Sequence, residues 1–408
     1  MRLPLLFAAP LLPLALVLAL SDSACVPRKS GANVPVGRAV AAPPEPVKPG
    51  TPSPVHAPSE VTPPPVVTMN APLPGFQRGI NFGNALDAPR EGAWGVTISE
   101  THFEMAKQAG LDHVRLPVCF SAHAADQAPY TIAPALFDRI DWVLEQARSR
   151  GLSVILDLHH YRELMKKPKE HGDRLVALWK QIGARFKHAP PSVAFELINE
   201  PCDELEPEIL NPLTRRALAA VRAENPTRTV IVDSYFWAAA DRLKELDLPQ
   251  DPNLVASFHM YQPILFTHQG AQFMGPEYQT RGVVFPGPPR APLSPVAAAL
   301  ETPWAKEWFA GYNAAPVAEN PNGPKAIFDY FKIVEDYVAT TGRRVYLGEF
   351  GVSVVADPQS RTNWIRMVRK EAERRRIGWA IWDDGGAFRA MEVKYGDWVA
   401  PIHAGLFQ

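Results

Sequence analysis

The sequence predicts a (β/α)8 barrel, and three observations predict it. From Gly75 to Gln408, runs rich in β-branched and aromatic residues alternate with amphipathic helical segments, a pattern that demands parallel pairing and right-handed crossovers. Eight such runs can be counted, and eight parallel strands close on themselves more readily than they spread into an open sheet. Most strand starts recur at the length of one βα unit.

Arg78 to Asn84 reads as the first strand. Thr97-Ile-Ser-Glu100 has the form of a capping box that opens a helix, and Gly110 closes it. His113 to Pro117 is the second strand. Pro134 stands at a helix start, Phe137, Ile140, Leu144 and Ala147 recur at intervals of three and four, and Gly151 ends the run. Leu152 to Leu158 is the third strand. A helix from about Asp173 to Phe186 leads to the fourth, Val193 to Asn199, which Pro201 stops because proline cannot donate to a ladder. A helix from about Pro212 to Ala223 precedes the fifth strand, Thr229 to Asp233, and the sixth, Leu254 to His259. The remaining units are helix Ala326 to Thr340, strand Arg344 to Glu349, helix Arg361 to Arg375 and strand Gly378 to Trp382. One interval is out of scale: about 275–323 is crowded with proline, including Pro286-Gly-Pro-Pro289, and reads as a loop insertion after strand six, on the face where barrels carry their functional loops. Trp304 and Trp308 within it are expected to pack the loop onto the barrel, ahead of stacking on a ligand.

The beginning of the chain has another character. Arg2, an apolar run from Leu3 to Leu20 and small residues at Ser21, Ser23 and Ala24 read as a signal segment over 1–24, so export is expected. Cys25 follows directly, in the place where a lipoprotein carries its lipid, while Asp22 stands where such signals have an aliphatic residue; a lipid anchor at Cys25 is one of two outcomes, a free N-terminus the other. Residues 25–74 hold 14 of the 43 prolines and almost no aromatic side chain, so they are expected to form a disordered linker that adds nothing to the core. A net charge of −1 with no basic block excludes nucleic acid and an anionic membrane surface as partners. Cys119 and Cys202 lack the spacing of a zinc site and are expected as small buried residues outside any disulfide framework. A monomer is expected.

Barrels of this class draw their reactive groups from the C-terminal ends of the strands. Strand two carries Arg115, strand three His159 and His160, strand four Asn199 and Glu200, strand six His259 and Tyr261, strand seven Glu349, and strand eight Trp382 with Asp383. Phe195-Glu-Leu-Ile-Asn-Glu-Pro201 and Arg344-Val-Tyr-Leu-Gly-Glu-Phe-Gly351 each end a β run on a glutamate, and in the second the flanking glycines are expected to let the backbone approach a ligand. Two strand-end carboxyl groups suit glycoside hydrolysis, in which one group is kept protonated for the leaving oxygen and the other is ionised to attack the anomeric carbon. Arg115 and the Tyr261 hydroxyl are placed to hold Glu349 as an anion, and Glu200, beside a histidine and an apolar wall, to hold its proton. Trp382 offers a flat face for a sugar ring, and Asn199 a hydrogen bond for its 2-hydroxyl. The rival chemistry is metal-assisted hydrolysis by the histidines and glutamates. It is disfavoured because adjacent residues on a strand, His159 and His160, point to opposite faces, and no metal is expected. A barrel that only binds glycan is the nonenzymatic alternative, against which the presence of both glutamates speaks.

Over essentially all of residues 75–408 the sequence resembles glycoside hydrolase family 5, particularly its bacterial endo-β-1,4-glucanases. The likeness is carried by Arg78-Gly-Ile-Asn-Phe-Gly-Asn-Ala-Leu-Asp-Ala-Pro89, His113-Val-Arg-Leu-Pro117, Asp157-Leu-His-His-Tyr161, Glu196-Leu-Ile-Asn-Glu-Pro201, Phe258-His-Met-Tyr-Gln-Pro263, Phe266-Thr-His-Gln-Gly-Ala271, Gly348-Glu-Phe-Gly351 and Trp379-Ala-Ile-Trp382, in this order and spacing. The resemblance implies a retaining mechanism on β-glucan, with Glu200 as acid/base, Glu349 as nucleophile, and Arg115, His159, Asn199, His259, Tyr261 and Trp382 around the cleaved sugar. By the same likeness Asn84, Asp87, His160 and His268 contact neighbouring sugars, and no cofactor is implied. A β-mannanase or mixed-linkage glucanase on the same machinery is the alternative. The chain departs from close relatives at Cys119-Phe120, where they carry Arg-Trp, at Asp87 in place of Glu, at Phe273 in place of Trp, and in the size of the proline-rich insertion.

Overall fold

A computed structural model describes residues 61–408; the signal segment, Cys25 and the linker up to residue 60 lie outside the described residues. Eight strands, β1 Arg78–Asn81, β2 His113–Val118, β3 Ser153–Leu158, β4 Val193–Glu196, β5 Val230–Asp233, β6 Leu254–Met260, β7 Arg344–Phe350 and β8 Gly378–Ile381, form a closed parallel barrel in chain order, with β1 paired to β8. The fold is the (β/α)8 barrel of the sequence reading. β4 is shorter than expected: Asn199 and Glu200 stand beyond its end, on the loop that Pro201 continues.

Proline sets the helix starts. Helices Pro134–Ser149, Pro168–Arg185, Pro207–Arg222, Pro324–Thr341 and Pro358–Arg374 all begin on one, where its missing N–H costs nothing and its φ is already helical. Four expected starts move for this reason, from Asp173 to Pro168, from Pro212 to Pro207 with Pro212 inside that helix, from Ala326 to Pro324 and from Arg361 to Pro358. The first helix, Glu100–Gln108, is capped by Ser99 with His102 and not by Thr97 with Glu100; the Ser99 backbone N–H donates to His102 Nδ1 at 3.1 Å. Between β5 and β6 the chain turns through a 3-10 segment, Ala240–Glu245, in place of a full crossover helix. The insertion after β6 is folded, with helices Ala297–Glu301 and Pro303–Ala314. Trp308 stacks on Tyr312 at 5.2 Å and Trp304 lies 5.7 Å from Tyr278, both half-buried, so the packing expectation for these tryptophans fits their surroundings.

Side chains alternate along each strand, and the inward set falls into two layers. Nearer the N-terminal ends of the strands lie Ile155, Ala194, Ile231, Val255, Tyr346 and Ala380, all buried, in one cluster with Leu73 and Phe76. Two residues further along β3, β4, β5 and β6 the same face presents Asp157, Glu196, Asp233 and Ser257, joined by Asn81 of β1 and Arg115 of β2, every one fully buried. The barrel is thus apolar below and charged above.

The segment expected as the end of the linker docks on the closed face. The Asn70 amide donates to Val345 O at 3.0 Å and accepts the Val345 N–H at 3.0 Å, and Glu335 accepts the Val67 N–H at 2.8 Å. Leu73 is 5% exposed and joins the lower layer. Composition missed this because the anchoring is done by backbone groups and two side chains. A chain shortened to begin at Gly75 is expected to lose about 3 kcal/mol or more of stability, from one buried leucine and several buried hydrogen bonds. Denaturant melts check this against a chain beginning at Val61, which keeps the anchor and should melt as the longer one does.

Candidate active site

Arg115 is the centre of the upper layer, and each of its five N–H donors has an acceptor. Nε and Nη2 grip both oxygens of Glu196 at 2.8 and 2.6 Å, Nη2 also donates to Asn199 Oδ1 at 2.7 Å, and Nη1 donates to Asn81 Oδ1 and Glu349 Oε1, both at 2.8 Å. Asp157 lies 3.0 Å away and accepts from His159 Nδ1 at 2.6 Å. Burial pushes the Asp157 carboxyl well above its usual range even against Arg115.

The two strand-end glutamates meet above this layer. Glu349 Oε2 accepts from the Tyr261 hydroxyl at 2.8 Å, so both its oxygens are held. A register shift between Phe258 and His259 sets His259 opposite Glu349 across β6 and β7, and His259 Nδ1 lies 2.8 Å from Glu200 Oε1. One oxygen each of Glu200 and Glu349 and a ring nitrogen of His259 lie within 4.8 Å of one another. Burial raises both carboxyl groups. Glu200 reaches about 7, while the rise at Glu349 is opposed by His259, Arg115 and Tyr261. The glycines around Glu349 make room for protein and not for a ligand: a Cβ on Gly348 would lie 2.7 Å from His259 Nε2, and one on Gly351 2.5 Å from the Trp382 carbonyl oxygen.

The other expected residues reach the same rim. Trp382 stacks on His159 at 5.6 Å with planes 5° apart and is half-buried. His160 has φ 54°, which breaks the strand alternation, so its ring meets His159 edge-on at 4.3 Å. The two histidines therefore share a face, and the argument from opposite faces fails. His268 stands in an aromatic wall with Tyr261 and Phe388, each 4.9 Å away, and burial lowers it to about 3. Asn84 donates to Asp383. Asp87 is turned under its own loop, where its oxygens accept the backbone N–H groups of Ala85 and Asn84 at 2.8 and 3.0 Å, and it is 1% exposed. Cys119 and Cys202 are both buried, as small residues inside the fold.

Sequence reasoning missed Asp157, Glu196 and Asp233, the buried acids that orient the visible residues; the signal was a charge inside each apolar strand run. It also missed Trp94, 5.7 Å from His160, and Phe236 and Trp237, left-handed at φ 62° and 56° just after β5, with the Trp237 N–H donating to Pro201 O beside Glu200. Among the described residues three donor groups have metal-like spacing: Asp87, His159 and His160; Glu196, Asp233 and His259; and Glu200, His259 and Glu349. In the last two a glutamate is already bound by the guanidinium, a fixed cation that repels a second one, and in the first Asp87 is occupied by backbone donors.

Lysine cannot reproduce five directed donors. Arg115→Lys is expected to cost about 3 kcal/mol or more, because the buried carboxylates lose their partner. Equilibrium unfolding measures this, and a variant as stable as the wild type removes Arg115 from its central place.

Residues 76–387 match the family described as Cellulase (glycosyl hydrolase family 5). Endoglucanase H of Acetivibrio thermocellus is 30% identical over 307 residues, which is 75% of this chain and 29% of that much longer protein. Among solved structures, endoglucanase Cel5A of Thermotoga maritima is 34% identical with a TM-score of 0.71, covering 81% of this chain and 97% of its own. The cellulose synthase subunit Z of Clostridioides difficile is 32% identical, also with a TM-score of 0.71, covering 82% of this chain and 100% of its own. A family match running from β1 past β8, through every strand end that builds the site, means that this chain belongs to glycosyl hydrolase family 5.

Proposed function

We propose that the protein is a retaining endo-β-1,4-glucanase that cuts β-glucan by double displacement, with Glu200 as acid/base and Glu349 as nucleophile. The observation that carries this reading is the oxygen-to-oxygen approach of the two carboxyl groups, within 4.8 Å. That suits a direct attack on the anomeric carbon, for which carboxyl groups stand about 5–5.5 Å apart, and leaves no room for the water that inverting enzymes seat between groups about 6.5–9.5 Å apart. Glu349, aimed by Arg115 and Tyr261, attacks as Glu200 gives its proton to the leaving oxygen. Water then yields a proton to Glu200 and displaces Glu349. Trp382 supports the sugar ring, with His159 and Asn199 at its hydroxyls; because Arg115 holds Asn199 Oδ1, the Nδ2 group is the donor left for the 2-hydroxyl. Asn84, His160 and His268 serve neighbouring sugars, and Asp87 acts from below by fixing the Asn84 turn.

The pH dependence follows from the two roles. Glu349 must be ionised, so kcat/KM falls on the acid side as it takes a proton; Glu200 must be protonated, so kcat/KM falls on the alkaline side around its value of about 7. A bell with this alkaline limb is expected. Loss of either group should lower turnover by about 10² to 10⁴ or more. Glu349→Ala should recover with azide and release a sugar azide of inverted configuration, whereas near-normal turnover by Glu349→Gln rules out the nucleophile.

A β-mannanase on the same site is the second reading, favoured by one observation: the Cel5A relative has been solved with mannotriose as well as cellobiose. Soluble β-1,4-glucan and mixed-linkage glucan are expected to be cut best, glucomannan less and xylan little. A polymer panel at equal concentration, with product sizes followed in time, checks this; preference for pure mannan reverses the assignment. Export is proposed from residues 1–25, and mass spectrometry of the mature N-terminus distinguishes an acylated Cys25 from a free end. No helix among the described residues is long and apolar enough to cross a membrane.

A further inference from the structure

Beneath Glu200 the barrel holds a carboxyl group that the mechanism above does not use. Asp233 ends β5 and is fully buried, and its Oδ2 accepts the Glu200 backbone N–H at 3.0 Å. That contact helps hold Glu200 in a left-handed conformation, φ 48°, which side-chain-bearing residues adopt at a cost. The same oxygen is 3.6 Å from His259 Nε2, and the opposite ring nitrogen, Nδ1, is 2.8 Å from Glu200 Oε1. One imidazole thus spans two carboxyl groups. His259 Nε2 and Asp233 Oδ1 have no hydrogen-bond partner, although leaving buried polar atoms unpaired is expensive. A separation of 3.6 Å is longer than a hydrogen bond, and contacts of this kind in unliganded sites shorten when substrate is bound.

We infer that Asp233, His259 and Glu200 act as one protonic unit, in which the two carboxyl groups share a single transferable proton across the imidazole and Asp233 is the positioning residue that sets how tightly Glu200 holds it. The inference rests on Glu200 being the acid/base. With the proton on Glu200, it is donated to Nδ1, and the ring's own proton sits on Nε2 toward an ionised Asp233. When Glu200 releases it to the glycosidic oxygen, two carboxylates remain in one enclosed space. Their joint affinity for a proton is then greatest, and the proton they regain is the one given up by the water that attacks the glycosyl ester.

The charges around the ring are compatible with this. Glu349 Oε2 is 3.7 Å from Nδ1, Glu196 lies near Asp233, and Arg115 and His159 are the adjacent cationic or titratable groups. Asp233 alone of these bonds the Glu200 backbone while facing the ring. Burial raises Asp233 and Glu200 alike, each to about 7, and matched affinities are what sharing requires.

Asp233→Asn keeps an oxygen for the Glu200 N–H and removes the second carboxylate. Glu200 then ionises with one like charge fewer across the ring, so the alkaline limb of kcat/KM should move to lower pH by about one unit, while the acid limb set by Glu349 stays in place. An equal loss at every pH, with the profile unmoved, is what a purely structural role gives and overturns the inference. Carboxyl carbon NMR of the wild-type enzyme decides even if the variant does not fold. In a shared unit the Glu200 and Asp233 signals each move in the same two steps, and independent single steps overturn the unit. The assignment of Glu200 is judged separately: Glu200→Ala should spare the first release of the aryl group from an aryl glycoside whose leaving group needs no proton, a burst followed by slow turnover for want of the base, and absence of that burst rejects the acid/base reading whatever the carboxyl signals do.

Discussion

A guanidinium sealed from water inside the barrel is the constraint on which the rest of this structure depends. The upper layer brings Asp157, Glu196, Asp233 and Glu349 together with very little solvent, and ionised carboxylates so placed repel one another strongly. Arg115 makes the arrangement tenable by directing donors at Glu196 and Glu349, with its charge 3.0 Å from Asp157. Its planar fork fixes Glu196 from two sides and then has donors left for Asn81, Asn199 and Glu349. The orientation of the Glu349 carboxylate is therefore decided by a residue three strands away in the closed order of the barrel, and by the acids that hold that residue in turn.

Closure of the sheet supplies the second condition. A parallel barrel must carry its reactive groups past the strand ends, and here the ladder is interrupted where the chemistry lies: β6 slips between Phe258 and His259, and the pairing of β7 with β8 slips between Leu347 and Phe350. Each slip re-aims one side chain of the central group without moving the strands that support it. The left-handed residues do the same on the loops, Glu200 after β4, His160 after β3 and Asn84 after β1.

Much of this was legible in the sequence, and the failures have physical causes. Strand positions followed from apolar runs, because a strand covered on both faces must be apolar nearly throughout. The rim residues stood out because each followed such a run. The acids beneath them did not, since Asp157, Glu196 and Asp233 occupy inward positions inside the runs and look like isolated exceptions until closure makes them neighbours. His160 was misjudged because the two-residue period was extended one residue past the end of β3, where a positive φ replaces it. The docking of residues 64–74 was hidden by proline content, which measures how little a segment can bury by itself and says nothing of backbone groups offered to an existing surface.

That docked segment also orients the molecule. Asn70 is tied to the beginnings of β7 and β8, and Leu73 closes the apolar end of the barrel, so the chain arrives on the side opposite the cleft. The first described residues thus lie at the floor of the barrel, and the mouth is at its other end. A polymer can lie across the mouth in either direction without passing the point of attachment, and a pull on the N-terminus is borne by the floor of the barrel, with the rim that holds Glu200 and Glu349 at the far end.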